Sequence, residues 1–213
     1  MIQKDFYKEA SIAFTGHREI PSEQQNEVRE QLKQAVILAY KQGKYRCFCG
    51  MALGFDLMAA EVVLSLKGKL PSLQLIAVVP FKGQNCRWNV SEQNRYDLIL
   101  GKADKVIVLS ENYFKGCLLK RNDYMLQHSG SVIAYFDGKP QGGTYYTCRK
   151  AWKRGLTIVN LPSLDGNKIR GRYSRSPLIF RPLFGRPAAL NAMRSLPRKR
   201  IFTLPGTWMK GNG

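Results

Sequence analysis

Acidic residues are scarce. The 213-residue chain carries 15 Asp plus Glu against 34 Lys plus Arg, a formal net charge of +19. Histidine is rarer, with only His17 and His128. The five cysteines, Cys47, Cys49, Cys86, Cys117 and Cys148, are an odd and scattered set. No apolar run approaches the roughly 20 residues of a membrane span. Met1 to Ala10 alternates charged and apolar residues where a secretion signal would have an apolar core. These shortages argue against collagen-like, disulfide-scaffold and integral-membrane classes. They point to a cytoplasmic chain with reduced thiols. Cys47 and Cys49 sit two apart on one face of a strand-like run, a spacing unsuited to a disulfide. A zinc site would need further ligands nearby, so the pair reads as buried thiols and no metal is expected.

Apolar residues are not scarce. At 44% they suffice for a real core. The charge is uneven. Residues 161–213 hold eleven basic residues and one acid, Asp165, and six of the ten prolines. Proline at that density prevents long helices and central strands. A boundary is therefore expected near 161–163. It separates a folded domain, residues 1–162, from a basic Pro/Arg-rich extension, residues 163–213, that is poorly ordered and dispensable for folding. About half the net charge lies in the extension, which would supply most of any nucleic-acid affinity through counterion release.

The first 160 residues alternate strand and helix signals. Ser11–Thr15, Tyr45–Cys49, Leu73–Val79, Lys105–Leu109, Ser131–Phe136 and Leu156–Leu161 read as strands. Between them, Pro21-Ser22 opens a helix with Val28, Leu32, Ala35, Val36 and Ala39 on one face, closed by Gly43. Leu57–Leu66 is an apolar, buried helix behind Asp56; Asn89–Leu100, Cys117–His128 and Thr144–Lys153 complete the set. The pattern predicts an α/β fold with a mostly parallel sheet of about six strands. Ligands of such sheets bind beyond the carboxyl ends of the strands, where the strand order switches.

Four of the loops after strands carry unusual residues. Thr15-Gly16-His17-Arg18 offers a tight turn, a hydroxyl and a planar cationic fork. Gly50, Ala52 and Gly54 leave room for backbone N–H groups to approach a ligand, at the start of a helix. Asp56 there is either the helix N-cap or a partner for a sugar hydroxyl. No Gly-Lys-Ser/Thr follows, so a P-loop kinase or ATPase is disfavoured. The loop after the third strand brings Lys82, Arg87 and Arg95, with Trp88 as a surface on which a base stacks. The last loop runs Asp137-Gly138 to Gly142-Gly143-Thr144. There the glycines and the hydroxyl suit a phosphate, and Gly143 is expected to need both the open space and its backbone angle.

Thr15-Gly16-His17-Arg18, the Gly50–Asp56 loop, Arg121-Asn122 on a helix, and Tyr135-Phe136-Asp137-Gly138 followed by Gly142-Gly143-Thr144 resemble the YpsA-like (DUF1273) family. That family belongs to the SLOG superfamily of modified Rossmann folds, with the DNA-processing protein DprA and the Lonely Guy phosphoribohydrolases. The resemblance covers roughly residues 10–161. It implies a Rossmann-like three-layer sandwich with a pocket for a nucleotide or an ADP-ribose-type ligand, lined by Arg121 and Asn122, with Gly142, Gly143 and Thr144 as the phosphate cradle. Lonely Guy enzymes place a glutamate shortly after their Gly-Gly-x-Gly-Thr loop. Here Tyr145, Tyr146, Thr147 and Cys148 follow instead. N-glycosidic cleavage passes through an oxocarbenium-like state that a carboxylate stabilises. Asp56, Glu61 and Asp137 are the remaining catalytic candidates. The leading expectation is a cytoplasmic binder of a nucleotide derivative, acting as a sensor or regulator. The alternatives are a nucleotide N-glycosidic hydrolase and a single-stranded nucleic-acid binder. The oligomeric state stays open, a homodimer included.

Overall fold

The computed structural model describes residues 7–161. The segment 163–213, and with it the expected boundary and the role of the extension, lies outside the described residues.

Among the described residues, six strands alternate with five helices. The strands are β1 (Ser11–Gly16), β2 (Arg46–Cys49), β3 (Gln74–Val79), β4 (Lys105–Val108), β5 (Ser131–Tyr135) and β6 (Thr157–Leu161). The helices are α1 (Gln25–Lys41), α2 (Phe55–Leu66), α3 (Val90–Lys102), α4 (Cys117–Gln127) and α5 (Gly142–Lys153). Every strand pair is parallel, and the order is β4-β3-β2-β1-β5-β6. The expectation of a mostly parallel sheet is met by an entirely parallel one.

Alternation along each strand sorts the core into two layers. Ile12, Phe14, Cys47, Cys49, Leu75, Ala77, Ile133 and Tyr135 pack on one face, under α1, α2 and α3. Ala13, Phe48, Ile76, Val78, Val132 and Ala134 pack on the other, under α4 and α5. Buried residues lie all round α2, which is wedged between the sheet and its neighbouring helices. Cys47 and Cys49 are buried thiols, and burial pushes both well above the ordinary thiol range.

Two helix starts differ from the sequence reading. Pro21 begins a turn closed by the Gln24 N–H on the Pro21 carbonyl, and α1 starts only at Gln25. At the other, α5 starts at Gly142, so Gly142, Gly143 and Thr144 form its first turn. The strand order reverses between β1 and β5. The chain runs from β1 outward to β4, then returns to lay β5 on the other side of β1. Gly16 registers with Tyr135 there, so the β1 and β5 loops leave the sheet side by side.

Candidate functional site

A cavity of about 470 Å³ opens beyond these strand ends. Thr15, Gly16, His17 and Arg18 line it from the β1 strand end and loop, Ala52 from the β2–α2 loop and Asp56 from the first turn of α2. Arg121 and Asn122 line it from α4, Gly143 and Thr144 from α5. The fold therefore brings together ten residues singled out in the sequence, drawn from four separate segments.

The floor is a buried ion pair. Asp56 is 5% exposed and Arg121 6%. Arg121 donates from Nη1 to the Gly50 carbonyl and stands 3.5 Å from Asp56 Oδ2, while its Nε is buried without a partner. Burial pushes the Asp56 carboxyl above the usual carboxylate range, although Arg121, the Ala52 N–H at 3.3 Å and Arg18 oppose the shift. Asp56 is not the helix N-cap. Gly54 holds that place, and Asp56 lies in the first turn, folded back onto the Ala52 amide.

The β2–α2 loop is braced from within the protein. A Cβ at Gly50 would overlap the Arg121 guanidinium, and one at Gly54 would overlap the Arg18 carbonyl. Gly54 also has φ +77°, a left-handed angle that glycine tolerates best. Met51 holds φ +57° while fully buried, and its carbonyl accepts from Gln84 Nε2. The room at Gly50 and Gly54 is thus taken up by the chain itself. Gly16 behaves alike, packed against the Phe55 ring.

The β5–α5 loop is open. A Cβ at Gly143 would meet only Asn122 Nδ2, at 3.9 Å. The left-handed angle in this turn sits at Gly142, with φ +81°, and not at Gly143 as expected. The turn is steadied from below: Asn122 Nδ2 donates to Thr147 Oγ1 at 2.9 Å, and Thr147 Oγ1 donates to the Gly143 carbonyl at 2.7 Å. Amide N–H groups at the start of this 12-residue helix and the Arg121 guanidinium favour an anion. Gly138 and Asp137 do not line the cavity. They act beside it. His17 Nε2 accepts from the Asp137 N–H at 3.1 Å when the ring is neutral, and pairs with Asp137 Oδ1 at the same distance when the ring is protonated. Although burial opposes its ionisation, Asp137 is held below the usual carboxylate range by the Lys139 amide, by His17 and by the Lys139 ammonium.

Three candidates lie elsewhere. Arg95 donates to Glu61 from Nε at 2.5 Å and from Nη2 at 3.0 Å, and Arg29 joins at 3.2 Å. These bonds outweigh burial and keep Glu61 ionised, so it clips α1, α2 and α3 together. Glu61 and Arg95 line a separate groove of about 740 Å³ between α2 and α3. Trp88 stands edge-on to Tyr96, ring centroids 5.4 Å apart, and packs on the core. Conversely, Tyr113, Gly116, Leu118 and Leu119 line the cavity. They went unremarked in the sequence, although the rule that loops after strands matter covers the β4–α4 loop as well.

Known proteins resemble this chain. The SPbeta prophage-derived protein YoqJ of Bacillus subtilis (strain 168) is 33% identical over 117 residues, covering 49% of this chain and 68% of that protein. A UPF0398 protein of Halalkalibacterium halodurans is 30% identical over 122 residues, covering 56% of this chain and 65% of that protein. This chain therefore spans about two thirds of the length of each. DNA processing protein A from Helicobacter pylori, whose solved structure concerns its binding of single-stranded DNA, superposes with a TM-score of 0.52 at 21% identity. The match covers 73% of this chain and 66% of that one, and supports the Rossmann-like fold. The YpsA family model, described as the YspA SLOG family, matches residues 12–157, so the chain belongs to the YspA SLOG family.

Proposed function

We propose that the chain binds a nucleotide-derived ligand in this cavity, phosphate first, as a sensor or regulator. The observation that carries the reading is the buried Arg121. Its Nε has no partner, and it lines the same cavity as the open first turn of α5. An arginine of this kind and a helix start favour one negative group between them. Arg18, exposed at the cavity edge, adds a second cation. Asp56 would repel a phosphate and suits a sugar hydroxyl. Among the described residues it is the one carboxylate lining the cavity. With no carboxylate in the four residues after Gly142-Gly143-Thr144, binding is proposed in preference to N-glycosidic cleavage.

Ligand-induced thermal stabilisation across AMP, NAD and ADP-ribose tests this. Arg18→Ala removes one charge-assisted hydrogen bond and weakens the best ligand by about tenfold or more. Gly143→Val fills the open turn and weakens it further. Equal stabilisation of wild type and both variants, or none by any of the three, would refute the proposal.

A second reading is single-stranded nucleic-acid binding, favoured by the net charge of +19 and by the single-stranded DNA that the Helicobacter pylori protein binds. Oligonucleotide affinity that falls steeply with salt while AMP affinity barely moves would separate the two. No described helix is long and apolar enough to cross a membrane.

A further inference from the structure

The cavity is lined by two kinds of side chain. Thr15, Arg18, Asp56, Arg121, Asn122 and Thr144 are polar or ionic. Tyr113, Leu118 and Leu119 add apolar surface. A bare phosphate or a sugar phosphate would have no use for the second kind. A ligand carrying a flat, weakly polar ring beside its phosphate would use both.

Tyr113 is the unusual member of the apolar set. It is 66% exposed, yet its ring meets a neighbour and its loop is tied down. The Phe81 ring meets it edge-to-face, centroids 5.4 Å apart at 80°. Its loop is tied to the β3 loop by the Lys82 N–H on the Ser110 carbonyl at 3.1 Å, and to α4 by the Cys117 N–H on the Phe114 carbonyl at 3.0 Å. Ser110 Oγ also donates to the Asn112 carbonyl at 2.8 Å. An exposed aromatic normally costs contact with water and gains rotational freedom. Here the ring is exposed, packs against Phe81 and has the cavity beside it.

We infer that Tyr113 is the base-stacking residue of the cavity, receiving the nucleobase of a mononucleotide whose phosphate lies at the α5 turn. The inference rests on the nucleotide reading of the cavity and adds what that reading leaves open, namely which residue takes the base. Stacking tolerates different bases, because every base presents a π-face. Tyr113 therefore supplies affinity for a base as a class, and Leu118 and Leu119 supply the dry surface around it.

Calorimetric titration of the full chain with AMP and with ribose 5-phosphate tests the inference, since the two ligands differ by the base alone. Tyr113→Ala should weaken AMP by about tenfold, the loss expected for one stacked base. Ribose 5-phosphate should bind the variant as it binds wild type, and Tyr113→Phe should keep the affinity for AMP. An unchanged melting temperature is expected of both variants, because the side chain is mostly exposed. If wild type binds AMP and Tyr113→Ala binds it equally well, the stacking assignment is overturned while the nucleotide reading stands. Equal weakening of both ligands also overturns it, and would make Tyr113 a support for the phosphate end. If wild type binds neither ligand, the nucleotide reading fails and the stacking assignment fails with it.

Discussion

Two glycine-rich loops, each running from a parallel strand into a helix, meet at this cavity and use their glycines in opposite ways. Between β2 and α2, Gly50 and Gly54 lie against Arg121 and Arg18, and the loop is packed shut. Between β5 and α5, Gly142 and Gly143 are exposed, and Gly143 faces open space. A run of glycines after a strand is thus not one signal. In the first loop the missing side chains let the protein approach itself and set a buried Asp56–Arg121 pair beneath the cavity. In the second they leave backbone N–H groups accessible to something else.

The largest effect is expected from Gly54→Ala. The new Cβ would overlap the Arg18 carbonyl, a backbone atom that cannot turn away. The left-handed φ of +77° adds strain. Together these cost about 3–5 kcal/mol, a melting temperature lower by about 10 °C or more. A melting temperature within a degree or two of wild type would show that the first loop is not braced in this way.

Arg121→Met comes next. It leaves Asp56 buried and unpaired, a loss of about 3 kcal/mol near neutral pH. Without its main opposing cation the Asp56 carboxyl rises further above its unfolded value of 3.8. The folded variant then holds a proton that the unfolded chain releases, so the deficit is full at neutral pH and narrows as pH falls towards that value. Denaturant melts at neutral and acidic pH measure this, and a deficit independent of pH would mean that Asp56 does not sense Arg121.

The periodicities behind this architecture are local, which is why six strands and five helices could be placed from the chain alone. Buried parallel strands are short apolar runs, and the helix over Gln25–Lys41 repeats Val28, Leu32, Ala35, Val36 and Ala39 on one face. What distinguishes the two loops is not local. Gly50 meets an arginine 71 residues further along the chain, and no pattern around Gly50 announces it. Trp88, Arg95 and Glu61 look like site residues by type, but their partners, Tyr96 and one another, lie away from the cavity. Tyr113 carries no such local signal, because its loop holds one glycine, Gly116, and no cluster of charges that marks a ligand. The topological switch between β1 and β5 emerges only from the strand order, which depends on how whole helices pack.

A smaller effect is expected from Asp137→Asn, which tests how the second loop is attached to the first strand. The folded carboxyl sits below its unfolded value of 3.8, so the folded state binds its proton less readily than the unfolded state does. Its contribution is fully present above that pH and disappears as pH falls through the lowered folded value. The group is partly exposed, which limits the contribution to below about 1 kcal/mol. Wild type and variant should differ slightly at neutral pH and converge in acid, as followed by thermal melts. A difference that grows in acid would contradict the contacts to His17 and Lys139.

The smallest change in stability, and the one of opposite sign, belongs to Gly143→Ala. Gly143 lies in the first turn of α5 without a left-handed φ, and a Cβ there makes only an ordinary contact with Asn122 Nδ2 at 3.9 Å. Alanine loses less backbone entropy than glycine on entering a helix, so the free protein should gain about 0.5 kcal/mol. The same glycine-to-alanine exchange thus destabilises one loop and stabilises the other. The methyl group would nonetheless stand where a phosphate approaches the turn, so stabilisation by AMP or ADP-ribose should shrink even as the free protein melts higher. A variant that melts higher and keeps its full response to nucleotide would place the ligand away from Gly143. One that melts lower would show that the turn is braced by contacts like those at Gly54, and the contrast between the two loops would be lost.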